Sequence, residues 1–229
     1  MNRVTTIVLG VSLILAASWF GLVFAPQLQL GGQGLVAVDV TGQEYPPAPT
    51  GAGRRGAAVY RACGCVHCHT QQVRPAGEGS DLARGWGRRR TVARDYLRDE
   101  PVLAGSVRLG PDLANLGARE TNTATLLLKL YDARIAAPGS TMPPFRWLFS
   151  ERLVRPGATP SPAALPLPAA LAPPAGREVV PSADALALVR YLQSRRAEAL
   201  FYEVFPPAVV QPAANSAAPG ATTNAPTGP

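Results

Sequence analysis

The amino-acid sequence predicts a mainly α-helical protein in which one membrane-spanning helix precedes a single small helical domain. Three observations support this fold class. A long apolar run follows Arg3 near the N-terminus. Three later segments, at 54–62, 122–131 and 181–199, are predicted as helices from apolar spacing and capping residues. The Ala/Pro-rich stretch 156–174 lacks periodicity and is predicted to be an extended surface loop, within an insertion at about 150–178.

The apolar run from Val4 to Ala25 is long enough to cross a membrane, because a helix of this length spans about 30 Å. A cleaved signal peptide is the alternative, since Val23–Ala25 resembles a cleavage site. The run is longer than a usual signal sequence, and Pro26 would become the first mature residue. We therefore favour a retained anchor over residues 1–26. Arg3 on the short N-terminal side predicts a single-pass protein of the inner (cytoplasmic) membrane, with its domain on the periplasmic side.

Residues 65–69 read Cys-Val-His-Cys-His, which is the attachment motif of a c-type haem. The thiols of Cys65 and Cys68 can each add to one vinyl group of the porphyrin, and His69 is then held under the iron as its proximal ligand. A zinc site is another use of Cys-x-x-Cys, but it needs a second ligand pair downstream. No cysteine follows Cys68, and the only histidines are His67 and His69. The sequence therefore predicts one covalent haem c.

Met142 is the predicted second axial ligand of the iron. The only other methionine is Met1, and Met142 lies in a segment rich in proline and glycine, residues 138–144. Met/His ligation is typical of electron-transfer haems and raises their reduction potential. Two alternatives stay open: Met142 fills a gap in the core, or the sixth position of the iron is unoccupied by protein.

The remaining sequence divides by composition. Residues 27–50 are rich in Gly, Pro and Gln and are predicted to be a tether between the membrane and the domain. The domain itself is assigned to 51–205. Residues 206–229 contain mostly Pro, Ala, Thr, Asn and Gly, and we expect them to be disordered.

The first and last helices of the domain have the features of the crossed helix pair in a class I cytochrome c. Gly56 and Tyr60 share a face of the first helix at i, i+4. Leu188, Tyr191 and Leu192 lie on the last helix, where glycine and aromatic residues of the first would meet them. We therefore expect a class I cytochrome c-like haem domain.

The net charge is +7, and arginine supplies nearly all of the positive charge. Nucleic-acid binding is not expected of an exported haem protein. Three roles stay open for the arginines: docking of an acidic partner, pairing with the haem propionates, and a solvated surface. Arg74 and Arg108 are the predicted propionate partners, because each lies in a segment that must pass close to the haem. Cys63 has no disulfide partner in this chain once Cys65 and Cys68 hold haem, and we expect a partly buried thiol. The alternatives are local confusion in haem attachment and an intermolecular disulfide.

Several segments together carry a family resemblance. Residues 64–75 read Gly-Cys-Val-His-Cys-His-Thr-Gln-Gln-Val-Arg-Pro, and generic cytochromes c lack the Gln-x-Val-Arg-Pro element. Residues 105–113 read Gly-Ser-Val-Arg-Leu-Gly-Pro-Asp-Leu, and 138–143 read Pro-Gly-Ser-Thr-Met-Pro. These segments resemble the membrane-anchored mono-haem cytochrome c subunit (subunit II) of cbb-type cytochrome c oxidases, which are C-family haem–copper oxidases. The resemblance covers most of residues 1–200.

The resemblance implies an electron-transfer subunit that catalyses no reaction itself. In that family, Cys65 and Cys68 match the thioether cysteines, His69 and Met142 the axial ligands, and Pro111 the carbonyl that accepts the proximal histidine's N–H. Electrons would pass from a di-haem cytochrome c subunit, through this haem, to the haem–copper catalytic subunit, which reduces oxygen and pumps protons. The alternative is a membrane-anchored mono-haem cytochrome that serves another complex, such as a nitric oxide reductase or a periplasmic dehydrogenase. A haem-based sensor would need an output domain, for which the sequence shows no segment.

Overall fold

The computed structural model describes residues 2–38, 42–155 and 157–204. About 42% of the chain is helical, which confirms the mainly α-helical prediction. The predicted disordered tail, residues 206–229, lies outside the described residues.

The N-terminal apolar helix runs from Arg3 to Leu30, beyond the predicted boundary at residue 26, and is 28 residues long. It comprises α1 (Arg3–Trp19), a π-helical turn (Phe20–Phe24) and α2 (Ala25–Leu30). The π turn precedes Pro26, which has no N–H to donate and whose ring crowds the preceding turn. No part of its most apolar window is buried within the protein, and the mean hydropathy of that window is 2.4. These properties fit a single-pass membrane anchor.

Helices α3 (Gly51–Ala62) and α6 (Ala183–Ser194) cross at the centre of the domain. A Cβ on Gly56 would lie 2.0 Å from the Ala187 carbonyl oxygen, so only glycine permits this approach. Beside it, the ring centroids of Tyr60 and Tyr191 are 5.4 Å apart. The predicted contact between the first and last helices is thus present, and it supports the class I cytochrome c-like fold.

Two shorter helices complete the helical layer, α4 (Leu116–Arg119) and α5 (Thr123–Tyr131). The Asn122 side chain caps α5 by accepting from the backbone N–H of Ala124 at 2.9 Å. Leucines of α5 then pack into the same apolar core as α3 and α6; they are Leu126, Leu127 and Leu130.

The insertion predicted at about 150–178 has a strand at each of its ends. Strands β3 (Phe149–Leu153) and β4 (Arg177–Pro181) pair in antiparallel register and close its base. Within it, the backbone N–H of Leu165 donates to the Val179 carbonyl at 2.9 Å, and the Leu165 side chain is buried. The pairing joins residues more than twenty positions apart, and local sequence patterns carry no signal for such a contact. A second short ladder, β1 (Val36–Ala37) with β2 (Glu44–Tyr45), lies in the tether.

The last predicted helix is shorter than expected, ending at Ser194 instead of continuing to 199. The chain then folds back onto the domain. The Arg89 Nε donates to the Ala199 carbonyl at 2.6 Å, and the Arg94 guanidinium pairs with the Glu203 carboxylate. Bonds from two arginines on another loop thus hold this segment, and such bonds have no signal in helical periodicity.

Candidate haem site

The Cys-x-x-Cys-His motif follows directly after α3. Gly64 adopts a left-handed conformation with φ of 70°, which glycine allows at little cost, and it separates the helix from the next turn. Cys65–His67 then form a 3₁₀ turn. The backbone N–H groups of Cys68 and His69 both donate to the Cys65 carbonyl, at 3.2 and 3.0 Å. This single turn brings the two thiols and the imidazole into one compact segment.

The His69 ring is held by the segment that contains Pro111. Its Nδ1 lies 2.8 Å from the Pro111 carbonyl oxygen, and since a carbonyl only accepts, Nδ1 carries the proton. A Cβ on Gly110 would lie 2.3 Å from the ring Cε1, so the ring packs directly against the Gly110 backbone. In the neutral imidazole with this tautomer, the other ring nitrogen, Nε2, is the atom with a lone pair for a metal.

Asp112, the next residue, ties this segment to the chain that follows the motif. Its side chain is fully buried. The carboxylate accepts from the Thr70 hydroxyl at 2.6 Å, the Gln72 N–H at 2.7 Å and the Ala114 N–H at 2.9 Å. The backbone on either side of the His69–Pro111 contact is therefore fixed by charge-assisted hydrogen bonds.

Arg74 and Arg108, the predicted propionate partners, both bind the buried carboxylate of Asp81. The Arg74 Nη2 lies 3.0 Å and the Arg108 Nη1 2.7 Å from its Oδ1. Burial alone would raise the pKa of Asp81, but the hydrogen bonds from Arg74 and Arg108 outweigh it and lower the pKa to about 2. The assignment of these two arginines to propionates stays a prediction, since both guanidinium groups already have a carboxylate partner.

Met142 lies at the edge of the apolar core. It is half-buried and packs against the same hydrophobic cluster as Cys65 and Val66. Its backbone N–H lies 3.3 Å from the Ser140 hydroxyl. Burial raises the pKa of the Cys65 thiol to about 12. The side chains of Met142 and Cys65 therefore both pack against the apolar core of the domain.

These residues fit a c-type haem. His69 is oriented by its Nδ1 bond and retains Nε2 for iron, while two thiols one turn apart suit the two vinyl groups. Among residues 2–38, 42–155 and 157–204, no group of three or more His, Cys, Asp or Glu is placed to hold a metal ion.

Sequence reasoning did not identify Asp81, Asp112 or Gly110 as part of this site. A partial signal exists for two of them, because Gly110 and Asp112 flank Pro111 in the Gly-Pro-Asp-Leu element. Asp81 lies in no recognisable sequence motif, and its ion pairs with Arg74 and Arg108 are seen only in the folded chain.

Residues 36–161 match the family model described as cytochrome c oxidase, mono-heme subunit/FixO. The match spans more than half of the 229 residues. The chain belongs to this family. No curated protein matches the chain. Membership confirms the resemblance drawn from 64–75, 105–113 and 138–143, all of which lie inside the match.

Membership in the FixO family makes this chain a mono-haem subunit of a cytochrome c oxidase complex, with one haem and a role in electron transport. The family also implies association with a membrane, which the helix Arg3–Leu30 fits.

Proposed function

We propose that this FixO-family subunit relays electrons, through one covalent haem c, to the haem–copper catalytic subunit of a cbb-type oxidase. The observation that carries the proposal is the 2.8 Å contact between the His69 Nδ1 and the Pro111 carbonyl. Because Nδ1 makes this contact, Nε2 of His69 stays available to a metal. His69 directly follows two thiols that have the spacing of a haem-attachment motif.

Each of the proposed site residues has a distinct task. Cys65 and Cys68 attach the porphyrin by thioether bonds, and His69 binds the iron through Nε2. The Pro111 carbonyl fixes the tautomer and orientation of the imidazole. Met142 supplies the second axial ligand, and its soft sulfur favours the reduced metal. A haem bound here would supply reversible one-electron exchange, and the protein supplies burial and orientation.

The electron path and topology complete the proposal. A di-haem cytochrome c subunit delivers the electron, and the catalytic subunit receives it. The haem domain lies on the periplasmic side of the inner membrane, tethered by residues 27–50, because the helix Arg3–Leu30 has Arg3 on its short, N-terminal side. The domain assigned to 51–205 holds the haem.

Purification of the tagged chain from its native membranes in mild detergent tests the proposal. We expect b-haem, copper and cyanide-sensitive oxygen uptake to copurify with a c-haem that stays attached after denaturation. A preparation that carries c-haem alone, or together with a different redox enzyme, would contradict it.

A further inference from the structure

A cleft of about 960 Å³ lies on the domain apart from the haem motif. Its walls are the end of the tether, one face of α3 from Gly53 to Arg61, the loop 95–101 and the segment that follows α6. None of Cys65, Cys68, His69 and Met142 lines it. The proposed electron relay therefore leaves this cleft without a role.

The lining of the cleft is rich in positive charge. It contains five arginines and three acidic residues. The arginines are Arg54, Arg61, Arg98, Arg195 and Arg196, and the acidic residues are Asp95, Asp99 and Glu100. Two of the acids already have partners. The Asp95 carboxylate pairs with Arg89 at 2.7 Å, and the Asp99 carboxylate pairs with Arg195 at 3.0 Å.

Three of the arginines have no such partner. Within the described part of the chain, Arg54, Arg61 and Arg196 form no ion pair. Arg54 also lies in the first turn of α3, which contains no acidic residue to balance the positive end of the helix dipole. The cleft therefore has an excess of positive charge that the surrounding protein does not neutralise.

The three arginines without an ion pair are also accessible. Arg54, Arg61 and Arg196 are exposed and line the cleft, so a ligand there can reach their guanidinium groups. Phosphate oxygens accept well from such donors.

The cleft is also close to the membrane anchor. The Arg94 guanidinium donates to the Gly34 carbonyl, and Gly34 is four residues beyond the end of the anchor helix at Leu30. Four residues reach roughly 14 Å even when fully extended. Arg94 is the neighbour of Asp95, which lines the cleft. This side of the domain is therefore held near the lipid surface.

We propose that the cleft binds the phosphate-bearing headgroup of an anionic membrane lipid. Positive charge, free guanidinium donors and the short path to the anchor all favour this ligand class. Bound lipid would fix the orientation of the domain relative to the membrane. The proposal rests on the membrane anchor and is independent of the haem relay.

Native mass spectrometry of the full-length, haem-loaded chain in detergent tests the proposal. Phosphatidylglycerol is titrated against phosphatidylcholine with the same acyl chains. The cleft variant Arg54→Gln/Arg61→Gln is compared with Arg88→Gln/Arg155→Gln, which removes the same charge from exposed sites outside the cleft. Arg196→Gln serves as a second, single-site cleft variant, and the haem spectrum checks that each variant is folded.

We expect the wild type and the control to bind phosphatidylglycerol equally. The cleft variant should bind it roughly tenfold more weakly, because charge-assisted hydrogen bonds are lost. Equal binding by all variants would overturn the proposal. In the second arm, inorganic phosphate is added to the chain with phosphatidylglycerol bound. Displacement of the lipid by an equal concentration of phosphate would also overturn the proposal, since the cleft would then prefer free phosphate.

Discussion

The two sides of the candidate haem site are built differently. On the histidine side, the fully buried Asp112 accepts from the Thr70 hydroxyl at 2.6 Å and the Gln72 N–H at 2.7 Å, and the His69 ring is fixed by Pro111. On the methionine side, Met142 is half-buried and rests on the edge of the apolar core.

This contrast separates two ways of positioning a ligand. Charge-assisted hydrogen bonds fix the histidine side, so its geometry is set by the folded chain. Packing positions the methionine side, and packing tolerates more variation in shape. Changes on the histidine side should therefore lower the stability of the fold. Changes at Met142 should act mainly on the metal.

The largest effect is expected at the two cysteines proposed to attach the haem. Cys65→Ser and Cys68→Ser should each abolish normal attachment, since each removes one thioether bond. Haem staining of the chain after denaturing electrophoresis is the measurement. Cys63→Ser is the matched control and should stain as the wild type does. Wild-type staining of both motif variants would show that this is not an attachment site.

On the methionine side, Met142→Ala should leave haem attached and lower its midpoint potential. The expected fall is on the order of 0.1 V, part of the about 0.8 V range over which axial ligands tune haem. A redox titration measures it. Leu153→Ala, an exposed apolar site on β3, is the control and should leave the potential unchanged. An unchanged potential in Met142→Ala would remove Met142 from the site.

On the histidine side, Asp112→Asn should lower the free energy of unfolding by about 2 kcal/mol, because a buried charged acceptor of several hydrogen bonds is lost. Urea denaturation checks this. Asp184→Asn is the control, because Asp184 forms an exposed ion pair with Arg55 that contributes about 0–1 kcal/mol. Equal losses in the two variants would contradict the idea that buried polar contacts fix this side.

A smaller, pH-dependent effect is expected at Asp81, whose pKa lies at about 2 in the folded protein. The group is deprotonated more readily when folded, so it stabilises the fold above its ordinary pKa of about 3.9. That contribution should disappear as the pH falls from about 4 towards 2. Thermal unfolding of the wild type and Asp81→Asn over this range is the measurement. A stability difference that stays constant with pH would contradict the role of Arg74 and Arg108.

The two sides of the site also differ in how far their contacts can be predicted from the sequence. Cys65, Cys68 and His69 form a contiguous motif, and Gly56 and Tyr60 share a helix face, so local spacing identifies them. Asp81 meets Arg108 across 27 positions, and β3 meets β4 across the insertion. Such partners become neighbours only when the chain folds. Both guanidinium groups proposed for the propionates bind Asp81, which local sequence reasoning had no means to foresee.

The most direct test of the relay is the oxidation of this haem by oxygen in the purified complex. The fully reduced complex is mixed rapidly with oxygen, and the absorbance of the c-haem at this site is followed against that of the b-haem. We predict that the c-haem is oxidised through the catalytic subunit within the enzyme's turnover time. A c-haem that stays reduced while oxygen is consumed at the normal rate would contradict the account.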